Sequence, residues 1–153
     1  MGKILITGGT GFLGGYVRRQ LAAIWPIVST SRSNDYPCNA LPTERIKYMD
    51  LLDCDSIKHA MRGCSFIVHM GAKVSFNPKD DQEVWRVNNE GTANLVCVAE
   101  EMNVQHIIFI SSAITRGITS DPETSLTIHH TGRGENCAYI SSKRAAEEVV
   151  LSS

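Results

Sequence analysis

The stretch Lys3–Gly15, KILITGGTGFLGG, constrains the fold of this 153-residue chain more than any other. Lys3 to Gly8 is a short apolar run that ends in glycine, the mark of a buried strand. Beyond the glycines, Leu13, Val17, Leu21 and Ile24 recur at the spacing of one helix face. Pro26 cannot continue that helix. Gly8, Gly11 and Gly14 stand three apart in the connecting turn. Glycines at this junction permit a tight turn, let the backbone approach a pyrophosphate and let the helix pack close to the strand. The phosphates would meet the outward-pointing N–H groups of the helix N-terminus.

The same alternation runs along the chain. IVSTS and IKYMDL read as the second and third strands, with the turn-rich SNDYPCNALPTE as a loop between them. DSIKHAMRG reads as a short helix stopped at Gly63, followed by the strand SFIVHMGA. From Asp81 to Met102 the pattern is helical, with Val84, Val87, Leu95, Val98 and Ala99 on its buried side. HIIFISS, residues 106–112, is the fifth strand, residues 115–137 form a polar loop, and a last helix carries Tyr139, Ala146, Val149 and Val150. Near-continuous apolar strands alternating with helices predict an α/β fold: a doubly wound parallel sheet of about five strands, with helices on both faces.

Composition narrows the function classes. A chain of this length is one domain by size, and 42% hydrophobic with 20% charged residues is ordinary for a globular protein. A net charge of −1 gives no electrostatic case for nucleic acid or an anionic membrane. No apolar run approaches the ~20 residues that span a bilayer, and the first residues lack the pattern of a secretory signal. Cys38, Cys54, Cys64, Cys97 and Cys137 are scattered, with no C-x-x-C pair, which predicts reduced thiols and a cytoplasmic location. The histidines are dispersed, and adjacent His129 and His130 lack the i, i+4 spacing of helical metal ligands, so no metal is expected.

Thr7-Gly8-x-x-Gly11-x-x-Gly14 resembles the T-G-x-x-G-x-x-G turn of the extended short-chain dehydrogenase/reductase family, which includes sugar-nucleotide epimerases and dehydratases, dihydroflavonol reductases and 3β-hydroxysteroid dehydrogenases. The resemblance continues, in order, along all 153 residues. It implies a Rossmann-type NAD(P)-binding domain in which Thr7, Gly8, Gly11, Phe12, Leu13 and Gly14 form the pyrophosphate turn. Asp50-Leu51 resembles the pair that contacts adenine; the lesser alternative is that Asp50 caps the helix near Ser56. HMGAKVSF resembles the H-x-A-A turn after strand four, with Gly71 in place of the usual alanine. Gly71, Ala72 and Lys73 would line the ribose and phosphates, and His69 reads as a strand-end residue that holds the turn. At the end of strand two, Arg32 favours the 2′-phosphate of NADP over NAD, with Asp35 three residues further on.

Tyr139-x-x-x-Lys143 matches the family's Y-x-x-x-K, and positions four apart share a helix face. A tyrosine hydroxyl is a poor base near neutral pH; a neighbouring ammonium favours its ionised form. The resemblance implies that Tyr139 exchanges a proton with the substrate oxygen and that Lys143 also holds the nicotinamide ribose. Ser112 resembles the serine that hydrogen-bonds that oxygen; counting to Gly117 favours it over Ser111. Asn88, in VNNEGT, resembles the N-x-x-G-T residue that braces its helix and a bound water. The function implied is an NAD(P)-dependent oxidoreductase acting on a carbonyl or secondary alcohol of an unknown small molecule. The alternatives are a sugar-nucleotide epimerase and, in another class, a non-catalytic NADP-binding sensor. Apolar Ala113-Ile114, where dehydratases carry an acidic pair, points away from dehydration, and GAKVSF with SSA resembles the steroid dehydrogenase and dihydroflavonol reductase branches.

Family members are usually longer, adding strands and a substrate-binding part after this helix. The domain over 1–153 is therefore expected to be incomplete, with the C-terminal strands and substrate domain absent and little activity alone. The fifth strand is expected to present an open apolar edge, which invites homo-dimerisation or other association.

Overall fold

The computed structural model describes residues 2–33, 40–116 and 137–153. Asp35, Gly117, His129, His130 and most of the expected loop over 115–137 lie outside them. Among the described residues, β1 (Lys3–Thr7), β2 (Ile27–Ser31), β3 (Glu44–Tyr48), β4 (Cys64–His69) and β5 (His106–Phe109) form one sheet in the order β3-β2-β1-β4-β5. Every pairing is parallel, with Leu5 opposite both Val28 and Ile67, and Ile67 opposite Ile107. β5 is an edge strand, as expected, and its Ile108 is 58% exposed.

Successive strand residues point to opposite faces, and the core divides accordingly. Leu5, Val28 and Ile67 pack with Ile57, Leu95 and Val98 on one side; Ile6, Ile27 and Val68 pack with Ala22, Val17 and Leu21 on the other. Burial on both faces is why β1 and β4 read as near-continuous apolar runs and why β2, IVSTS, holds only apolar and small residues. Each fully buried Leu or Ile among them stabilises the fold by about 1.5–3 kcal/mol.

The helices are α1 (Phe12–Ala22), α2 (Cys54–Met61), α3 (Asp81–Trp85), α4 (Gly91–Glu101) and α5 (Ala138–Leu151). α2 starts where the Asp53 carboxylate accepts from the amides of Asp55 and Ser56, a cap worth about 1 kcal/mol. α3 and α4 are one rod, entered through a 3₁₀ turn over Pro78–Asp80 and interrupted by a π turn over Arg86–Glu90. All the positions assigned to its buried side, Val84, Val87, Leu95, Val98 and Ala99, are buried.

Two expectations need correction. The buried stripe of α1 is Gly14, Arg18 and Ala22, not Leu13 through Ile24. Leu13 is half-exposed, and Ile24, past the helix end, is exposed. Val17 and Leu21 do pack inward, but α1 sits so close to the glycine turn that glycine, not leucine, occupies the contact. The third strand begins at Glu44, two residues before the apolar run that suggested it. As an edge strand it turns charged side chains outward, and its buried first residue is the partner of Arg18.

Candidate active site

In an open α/β sheet, ligands bind beyond the carboxyl ends of the strands where the strand order reverses. Here the chain runs outward from β1 to β2 and β3, then returns to place β4 on the other side of β1. The glycine turn lies at that reversal. Gly8 has φ +68°, and a Cβ there would lie 2.8 Å from Gly71 N and the Met70 carbonyl carbon. At Gly14 a Cβ would lie 2.1 Å from the Gly8 carbonyl oxygen, so the helix could not approach the turn.

A cleft of about 240 Å³ opens in front of this turn. Of the residues assigned to the cofactor, Thr7, Gly8, Gly11, Arg32, Asp50, Leu51, Gly71 and Ala72 line it. Thr30 and Ser31, at the end of β2, and Met70 and Val87 line it too, without having been singled out. Phe12, Leu13, Gly14, Lys73, Tyr139 and Lys143 are not among the lining residues, although Phe12 and Leu13 open α1 immediately behind Gly11. No side chain caps α1, and its first turn carries no acidic residue. Its N-terminus therefore offers positive partial charge without internal competition. These features fit a dinucleotide, with its pyrophosphate at the turn.

The cleft floor is fixed by a buried hydrogen-bond chain. The Thr7 hydroxyl accepts from Met70 N at 3.1 Å and Gly71 N at 2.9 Å, and lies 2.6 Å from His69 Nδ1. His69 Nε2 lies 3.1 Å from the Thr92 hydroxyl, which donates to the Asn88 carbonyl at 2.6 Å. One proton arrangement satisfies the chain: Thr7 donates to Nδ1, and Nε2–H donates to Thr92. Burial, with a smaller contribution from the Lys143 charge, pushes the His69 ring down to about 3. His69 is thus neutral at physiological pH and serves as a brace rather than an acid or base. Asp50 is no helix cap: Asp53 does that, and the Asp50 carboxylate closes a turn onto Leu52 N at 2.9 Å.

Asn88 is buried within the π turn. Its side-chain oxygen accepts from Lys73 N at 2.7 Å, and its amide donates to the Lys73 carbonyl at 2.9 Å and to Ser142 Oγ at 3.1 Å. It therefore ties the post-β4 segment to α5 and does not face the cleft. The Lys73 ammonium is paired with Glu83.

α5 places Tyr139 and Lys143 one turn apart. The Tyr139 ring meets Phe76 edge-on at 5.5 Å. Lys143 is buried; its Nζ lies 4.0 Å from the Phe109 ring centroid and donates to the Ile110 carbonyl at 2.9 Å. Burial pushes its pKa down from 10.5 to about 8, with Glu147 opposing the fall. The neighbouring hydroxyls are engaged. Ser111 donates to Glu147, the single Thr115 hydroxyl proton is shared between Glu147 and the Ser112 carbonyl, and Ser142 donates to the Tyr139 carbonyl. The Ser112 and Tyr139 hydroxyls have no hydrogen-bond partner among the described residues. Among the described residues, Ser111 is thus committed to Glu147 and Ser112 is not.

A glycine turn at the switch point of a parallel sheet, with a nucleotide-sized cleft before it, defines a Rossmann-type dinucleotide-binding domain. The chain belongs to the NAD dependent epimerase/dehydratase family, whose model matches residues 4–153. It is 28% identical over 160 residues to the 3 beta-hydroxysteroid dehydrogenase/Delta 5-->4-isomerase of Vaccinia virus (strain Ankara), covering 99% of this chain and 46% of that enzyme. A putative dihydroflavonol 4-reductase of Synechocystis is 31% identical over 119 residues, covering 76% of this chain and 34% of that protein. Among solved structures, a short-chain dehydrogenase/reductase superfamily protein from Agrobacterium tumefaciens with bound NAD superposes with a TM-score of 0.78 at 25% identity, covering 97% of this chain and 44% of that one. The chain spans about half the length, or less, of the relatives it matches. Among the described residues, no helix is long and apolar enough to cross a membrane.

Proposed function

We propose that this chain carries the cofactor cleft and proton-transfer residues of an NAD(P)-dependent oxidoreductase that interconverts a carbonyl and a secondary alcohol. The observation that carries this reading is the pair of hydroxyls, Ser112 and Tyr139, uncommitted among the described residues while the hydroxyls around them are engaged, with the Lys143 ammonium one turn from Tyr139. A bound nicotinamide supplies or accepts the hydride. Ser112 orients the substrate oxygen by hydrogen bonding, and the Tyr139 hydroxyl gives or takes its proton.

Phe76 and Val74 are 64% and 63% exposed, and Phe76 touches the Tyr139 ring. An apolar surface beside the proton donor suits a substrate with an apolar body around its carbonyl, in line with the steroid named for the viral relative. At the β2 end, Arg32 lines the cleft and suits a 2′-phosphate, which favours NADP for this chain, whereas the Agrobacterium structure holds NAD.

Calorimetric titration is expected to show NADPH binding more tightly than NADH, by about tenfold for one charge-assisted contact. Arg32→Ala should remove the preference. Absence of heat with either dinucleotide at millimolar concentration would overturn the assignment of the cleft. Tyr139→Phe should keep the dinucleotide affinity and lower turnover of an apolar ketone about a hundredfold. Wild-type turnover in that variant would mean that the proton comes from elsewhere.

A further inference from the structure

Tyr139 and Lys143 ride on α5, whereas Ser112 rides on the segment that leaves β5. Their alignment depends on what joins these two stretches. Lys143 Nζ donates to the Ile110 carbonyl at 2.9 Å, and Arg144 Nε donates to the Thr115 carbonyl at 3.0 Å. Both bonds end on backbone oxygens, which any residue at 110 or 115 would supply. Glu147 differs. Its carboxylate accepts from the Ser111 hydroxyl and, at 2.9 Å, from the Thr115 hydroxyl, the residues on either side of Ser112. The Thr115 hydroxyl is shared with the Ser112 carbonyl at 2.8 Å, and Thr115 N donates to the same carbonyl at 3.1 Å. The carboxylate thus reaches Ser112 through one intervening residue.

Resting on the roles given above to Ser112 and Tyr139, we propose that Glu147 is a positioning residue for the reaction: its carboxylate fastens the Ser111–Thr115 segment to α5 and so sets Ser112 in register with Tyr139. Glu147 stands one turn beyond Lys143 and two beyond Tyr139, on the same helix face. Hydroxyl donors to an ionised carboxylate make stronger bonds than neutral pairs, which suits a clamp between two separate elements. The same negative charge lies near the buried Lys143 ammonium and opposes the loss of its proton. One side chain then couples the geometry of Ser112 to the charge state of the lysine.

The test compares the wild-type chain with Glu147→Gln and Glu147→Ala by amide hydrogen exchange and by NMR titration of the Lys143 side chain. In Glu147→Ala the Thr115 amide should exchange at least about tenfold faster, the loss of one bond to a charged acceptor. The Leu5 and Ile67 amides of the central strands should keep their wild-type rates. Glu147→Gln, which retains an acceptor, should restore most of the Thr115 protection. In both variants Lys143 should lose its proton at lower pH than in the wild type. Unchanged Thr115 exchange in Glu147→Ala overturns the proposal. So does an equal loss of protection at Leu5, which would make Glu147 a general fold residue. An unmoved Lys143 titration in Glu147→Gln removes the coupling and overturns that part. Failure of the underlying reading appears separately: an absence of dinucleotide binding overturns the cofactor cleft, a fully active Tyr139→Phe variant overturns the role of Tyr139, and neither outcome alters these exchange rates.

Discussion

Replacing Glu44 with alanine is expected to destabilise the chain by about 3–5 kcal/mol, the cost of stranding one member of a buried ion pair. The Arg18 and Glu44 side chains are 4% and 0% exposed. The guanidinium meets the carboxylate with two donors, Nε to Oε1 at 2.9 Å and Nη2 to Oε2 at 2.5 Å, while Leu41 N also donates to Oε2 at 2.9 Å. Burial alone would raise the Glu44 carboxyl, but the hydrogen bonds from Arg18 and Leu41 outweigh it and hold the group below the usual range. The pair pins α1, whose N-terminus faces the cofactor cleft, to the start of β3. Removing the carboxylate leaves a buried cation without that partner. Urea unfolding would read the loss directly; in heat it amounts to about 10 °C or more for a domain of this size. Arg18→Met with Glu44→Leu should recover most of it, because a well-packed apolar pair avoids desolvating two charges. A loss below about 1 kcal/mol in Glu44→Ala would show the pair to behave as a surface pair does.

This ion pair also marks where sequence patterning stops being informative. The strand–helix alternation was legible because strands buried on both faces, Leu5 to Thr7 and Ile27 to Thr30, admit almost only apolar or small residues. The glycine turn was legible because its spacing serves local geometry. Arg18 was not, because a charged side chain on a helix normally marks the solvent face, and its partner lies 26 residues further along, on β3. The π turn at Asn88 carries no local signal either. The inserted residue is held by Lys73, Thr92 and Ser142, and Ser142 comes together with it only in the folded chain. Glu147 could have been found: an acidic residue one turn beyond Lys143 shares its face, and the same i, i+4 reasoning had already linked Lys143 to Tyr139. Its partners, Ser111 and Thr115, could not have been read without the packing of α5 beside β5.

On acidification the chain is expected to lose about 1.4 kcal/mol of stability per pH unit below about pH 6.5 through His69 alone. The ring is fully buried, and both nitrogens are committed, Nδ1 as acceptor from Thr7 and Nε2–H as donor to Thr92. A second proton would need Thr7 to turn its hydroxyl away, beside the positive charge of Lys143. The folded value of about 3 lies below the ordinary 6.5. As pH falls between these values, the unfolded chain takes up a proton that the folded chain refuses, so this contribution is complete above 6.5 and is lost downward toward 3. The whole window amounts to about 5 kcal/mol. The Glu44 contribution follows only at lower pH, as pH drops through the carboxylate range, so the interval from 6.5 to 5 isolates the histidine. Urea midpoints at pH 7, 6 and 5 should slope in the wild type and flatten in His69→Gln, which keeps a polar side chain without a titrating ring. Should that variant fail to fold, the His69 ring signals in the wild type give the same answer: they should not move between pH 7 and 5. Movement in that interval would mean that the ring is reached by solvent, and the chain from Asn88 through His69 to Gly71 would then not be the closed floor of the cleft.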